Sequence, residues 1–159
     1  MSLILEPLLY LASGGFYWWW TQNLTVFGLA PNLLFAAALS AAILAGPVKG
    51  IAWCFMLGLY ADMLGSGVFG GWALVYSLMG YVVYVIKRHF DMASPFSQLV
   101  AALALSWGCL LFYQGLSLVF ASINPAGLKI FLVEPFLNAL AVPVVFQVFY
   151  WLKRRSGIL

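Results

Sequence analysis

"PNLLFAAALSAAILAGPVKGIAWCFMLGLYADMLGSGVFGG", residues 31–71, runs apolar in long blocks and breaks only at proline, glycine, one lysine and one aspartate. Asp62 closes the second block after eleven uncharged residues, Ile51–Ala61, and stands just ahead of a cluster of glycines. What a carboxylate does there depends on the solvent around it, and composition identifies that solvent. Of the 159 residues, 65% are hydrophobic and 7% charged, more apolar surface than a soluble domain of this size can bury. Membrane β-barrels alternate apolar and polar residues, whereas this chain stays apolar for whole segments, so the spans are expected to be helices. The fold class that follows is all-α: a polytopic membrane protein forming a single transmembrane domain over residues 1–159.

A helix needs about 20 apolar residues to cross the hydrocarbon. Punctuation divides the chain into six candidate spans near residues 3–20, 31–46, 48–65, 70–86, 98–121 and 133–152. The breaks fall at Asn23 through Pro31, at "AGPVKG", at the glycine run after Asp62, at "KRHFDMASP" and at "SINPAGLK". The N-terminal stretch has no basic region and carries Glu6, so it is expected to be a retained span rather than a signal peptide. Basic residues concentrate on the cytoplasmic side of membrane proteins. Six spans with both termini inside place Lys49, Lys87, Arg88, Lys153, Arg154 and Arg155 in the cytoplasm and only Lys129 outside. The net charge of +3 then marks topology facing anionic lipid rather than a nucleic-acid surface. "YWWW" at 17–20 and "FYW" at 149–151 become the aromatic belts of the two interfaces.

Three roles are open to Asp62: a proton or ligand site, an outer-interface residue that snorkels, or a cap for the helix beyond the turn "GSGVFGG". The cap is favoured, because exposed N–H groups at a helix start attract a carboxylate. On that reading Asp62→Asn retains most of the folding, since an amide oxygen still accepts a hydrogen bond. The surrounding glycines, including Gly58, Gly65, Gly67 and Gly71, allow close approach and positive backbone dihedrals. They lack the Lys-Ser/Thr pair of a phosphate loop. Small residues recur at period four in Ala37, Ala41 and Ala45, with Ala38, Ala42 and Gly46 beside them, a device for close helix pairing that is expected to serve internal packing. Glu134 and Asn138 share a helical face, Pro135 is expected in a first turn, and Pro143 is expected to kink its helix. Asp62, Gln114, Glu134 and Asn138 are the polar residues available to line a cavity. Cys54 and Cys109 lie in apolar segments without ligand-type neighbours and are expected to pack. One histidine, His89, in a basic turn builds no catalytic triad, and no metal-ligand set is present in the pattern, so neither an enzyme nor a cofactor is expected.

The order Pro31-Asn32, Gly46-Pro47, Gly50, Gly58, Asp62, Gly65, Gly71 and Gly80-Tyr81 before a basic turn resembles the rod shape-determining MreD family of bacteria, as do the length, the six spans and the basic tail. That resemblance implies a multi-pass component of the cell inner membrane. It implies MreC, a single-span protein with a periplasmic domain, as first partner, and through it RodA, its penicillin-binding transpeptidase and the actin-like MreB. The expected function is a non-enzymatic scaffold and regulator of peptidoglycan elongation and cell shape. The family is also similar in fold to the S components of energy-coupling-factor transporters, which supplies the alternative of a membrane carrier for a small vitamin-type molecule. "LLYLASGGF" in span one does not show the alanine face by which such subunits dock their transducer.

Overall fold

The computed structural model describes residues 29–65, 67–92, 94–120 and 127–156, so the first span and its "YWWW" belt lie outside the described residues. Within them the chain folds into five helices: α1 Leu33–Leu44, α2 Pro47–Leu64, α3 Gly71–Ile86, α4 Pro95–Phe120 and α5 Leu128–Ser156. α4 and α5 are long and apolar enough to cross a membrane, and α1 and α3 are apolar but shorter.

Helix starts follow local chemistry. Asn32 caps α1, its side-chain oxygen accepting from the Phe35 N–H at 3.0 Å. Pro47 opens α2 behind Gly46, where a missing N–H costs nothing. Ser94 caps α4 through Ser97 N–H, with Pro95 as first helical residue, so α4 begins three residues before the expected span. α5 departs most from expectation. It begins at Leu128 rather than near 133 and continues through the basic tail to Ser156, where Lys153, Arg154 and Arg155 complement the negative end of the helix. Pro135 therefore lies inside the helix, correcting its expected place in a first turn. Its ring removes the N–H that would pair with the Phe131 carbonyl, and the Trp107 indole N–H of α4 donates to that carbonyl instead, at 2.8 Å.

α1 is the axis of the bundle. Leu34 through Ala42 are all buried, and α2, α3, α4 and α5 all pack around it. Twelve residues rise only about 18 Å against a hydrocarbon core of about 30 Å, so α1 relies on its neighbours to shield its ends. The small-residue stripe Ala37, Ala41 and Ala45 is buried in this packing, with exposures of 5%, 0% and 3%. Outside the axis the polarity pattern of a soluble protein is absent: Val100, Leu111, Phe120, Leu132, Leu140 and Val144 are exposed along α4 and α5. Such a surface suits lipid.

Two glycines bring α2 and α3 into contact, Gly58 against the start of α3 and Gly80 against the middle of α2. A Cβ on Gly58 would lie 2.6 Å from Ala73 Cα, and one on Gly80 would lie 3.0 Å from Cys54 Sγ. Gly50 does the same for α2 against α1, 3.3 Å from Ala42 Cα. Cys54 and Cys109 are free and buried, Cys54 donating to the Ala38 carbonyl at 3.4 Å.

Candidate functional site

Among the described residues, polar side chains meet helix ends in three clusters. The first is the Asp62 turn. Gly70, the residue before α3, adopts a left-handed φ of 86° and has no side chain to cap the helix. Asp62, at the end of α2, supplies the missing acceptors: its two carboxylate oxygens accept from Trp72 N–H at 2.9 Å and Ala73 N–H at 3.0 Å. These are the two positions an N-cap side chain normally serves, and the negative charge meets the positive end of α3. Tyr113 of α4 closes the turn from outside. Its ring stacks on Trp72 with centroids 4.1 Å apart, and it lies so close to Gly67 and Gly71 that a side chain at either would displace it.

The second cluster joins the start of α1 to α4 and α5. Asn138, 1% exposed, accepts from the Asn32 N–H at 2.7 Å and donates to Ser106 Oγ at 2.8 Å. Glu134, half-buried one turn earlier, lies within hydrogen-bonding reach of the side chains of Asn138 and Asn32. Ten residues of α5 precede Asn138, about 15 Å of helix, so this cluster sits at depth in the bundle rather than at its edge. Ser106 is the member the residue pattern did not single out; a hydroxyl in an apolar helix is common and its partner lies 32 residues away.

The third cluster receives the last carbonyls of α1. Lys87 Nζ donates to the carbonyls of Ala42 at 3.1 Å and Ala45 at 2.6 Å, and Lys153 Nζ donates to that of Leu44. Both cations meet the negative end of α1. Burial, with Lys153 as a nearby like charge, holds Lys87 below the usual lysine range. Since Lys49 opens the helix that follows Ala45, Lys49, Lys87 and Lys153 share one end of the bundle, while Asp62 and Lys129 lie at the opposite helix ends.

The residues expected to line one cavity are thus divided. Asp62 serves α3, and Glu134 and Asn138 serve α1. Gln114 follows Tyr113 on α4, half-buried. Among the described residues no group of three His, Cys, Asp or Glu could hold a metal ion. A cavity of about 560 Å³ opens at the lysine end, between Lys87, Asp91, Met92, Phe146 and Gln147. A shallower apolar groove of about 340 Å³ runs between α4 and α5, lined by Leu99, Val100, Leu103, Phe136, Ala139 and Leu140.

Apolar helices whose ends are closed by Asp62, Asn138, Lys87 and Lys153 suit a membrane protein, and comparison with known families says which kind. The family model for the rod shape-determining protein MreD matches residues 15–155. The chain belongs to the MreD family. Searches of curated proteins and of solved structures returned no match. MreD membership makes this a membrane protein of rod-shape determination. The turn Gly58–Gly71 and the short buried α1 are then the structural content of the Pro, Gly and Asp series on which the MreD resemblance rests.

Proposed function

We propose that the protein is a non-enzymatic, multi-pass scaffold of the bacterial inner membrane that regulates the cell-elongation complex by binding other membrane spans. The observation that carries this reading is the division of labour in the bundle. Asp62, Asn138 and Lys87 are engaged with helix ends, while the surface offered to neighbours is apolar and includes a ready groove between α4 and α5. Association of helices in lipid depends on close van der Waals packing, and a groove lined by Ala139 between Leu103 and Leu140 provides it. The first partner is the single span of an MreC-type protein, and through it the scaffold acts on RodA, its transpeptidase and MreB. The end bearing Lys49, Lys87 and Lys153 faces the cytoplasm.

Co-expression with an MreC-type protein and purification in mild detergent tests the reading. The two chains are expected to co-purify, and Leu140→Trp, which fills the groove from an exposed position, is expected to weaken that association without lowering membrane abundance. Failure of the wild-type pair to associate in detergent and in lipid would sink it. Stoichiometric retention of a vitamin-like molecule in native mass spectrometry would favour the carrier alternative instead.

A further inference from the structure

The cavity at the lysine end is not explained by scaffolding. Its floor is the end of α1, Ile43 and Leu44, and its wall is Phe146 of α5, all apolar. Its polar groups are Lys87, Asp91, Gln147 and the Tyr150 hydroxyl. At the same end of the bundle, Lys153 lies on the Leu44 carbonyl, Arg88 stands 5.6 Å from the Tyr84 ring centroid, and Arg155 stands 4.1 Å from that of Trp151. Cation–aromatic pairs of this kind mark the depth of lipid headgroups. Of the charges gathered at this end among the described residues, Lys49, Lys87, Arg88, Lys153, Arg154 and Arg155 are positive, and Asp91 is the negative one.

We infer that this cavity binds the headgroup of an anionic glycerophospholipid, its phosphate drawn by the positive charge of Lys87, which lines the cavity while its Nζ holds the last carbonyls of α1, and of Lys153, whose Nζ lies on the carbonyl of the lining residue Leu44. Three features select that ligand over a free anion. The cavity has an apolar floor, which a bare phosphate gains nothing by covering. It adjoins the outward face of α5, where Val144 and Val148 are 66% and 52% exposed and give acyl chains a path along the helix. It also pairs the cations with Asp91 and Gln147, which can bond to headgroup hydroxyls, so phosphatidylglycerol suits it better than a headgroup without hydroxyls. Burial lowers Lys87 first and the like charge of Lys153 second, and a nearby anion offsets the second. This site is independent of the partner span, because the α4–α5 groove is lined by different residues.

Native mass spectrometry of the full chain, equilibrated with equal amounts of phosphatidylglycerol and phosphatidylcholine in detergent, reads the preference. Retention of phosphatidylglycerol is expected to exceed that of phosphatidylcholine by about fivefold for each cation engaged. Gln147→Trp, which fills the cavity from an exposed position, is expected to remove most of that excess while helicity by circular dichroism stays unchanged. As a second readout that needs no variant, phosphatidylglycerol is expected to raise the thermal midpoint of the wild-type chain more than phosphatidylcholine does. Equal retention of the two lipids, an undiminished excess in Gln147→Trp, or displacement of the lipid by millimolar inorganic phosphate would overturn the assignment.

Discussion

Both oxygens of Asp62 accept hydrogen bonds, from Trp72 and Ala73, and this revises what its amide should do. Asparagine offers one acceptor and turns an NH2 group toward the other N–H, so one cap bond is lost and a donor faces a donor. Asp62→Asn is expected to cost about 1–2 kcal/mol and Asp62→Ala about 2–3 kcal/mol, measured by denaturant unfolding in mixed micelles. Gly58 sets a second test. A methyl there meets Trp72 O at 2.5 Å and the Ala73 backbone, which is not free to move while Asp62 holds it. Gly58→Ala is expected to destabilise by about 3 kcal/mol, more than Gly46→Ala, whose added carbon would meet nothing within 4 Å. At this scale Asp62 was legible in part: a carboxylate before a glycine turn and an apolar helix points to capping. The number of bonds was not, because the Gly70 backbone conformation that aligns Trp72 and Ala73 with both oxygens exists only in the folded turn.

At the scale of elements, Pro135 and Trp107 form a compensated pair. Proline frees the Phe131 carbonyl inside α5, and the indole of α4 takes it up. Trp107→Phe is expected to cost about 1 kcal/mol or more from the orphaned carbonyl. In a Pro135→Ala background the helix makes its own bond, and the same substitution is expected to cost less. A double-mutant cycle measures the difference, and strict additivity would rule the pairing out. Pro135 shows where reading by punctuation stops: proline after an acid resembles a first turn, and only the tryptophan of another helix makes an interior position tolerable. The ends of α1 teach the same lesson. Asn32 caps α1 from within its own segment, whereas Asn138 and Lys153 reach α1 from 106 and 109 residues away.

For the whole molecule, charge distribution and solvent set the orientation. One end carries six cations, and Lys129 and Asp62 lie at the opposite helix ends. A reporter fused after Arg155 is expected to behave as cytoplasmic, fluorescent as a green fluorescent protein and inactive as alkaline phosphatase; the reverse pattern would invert the proposed topology. Composition by itself determined that the chain belongs in lipid, that it is helical, and which ends of its helices share a side, since these depend on apolar content, run length and the sign of loop charges. Only the tertiary structure decided which short helix becomes the buried axis and which distant side chains close its ends. The reason is physical: in a chain apolar on nearly every face, lipid-facing and buried surfaces carry the same residues, so no periodicity distinguishes them. The choice falls to a few glycines that permit contact and to polar groups whose partners lie on other helices.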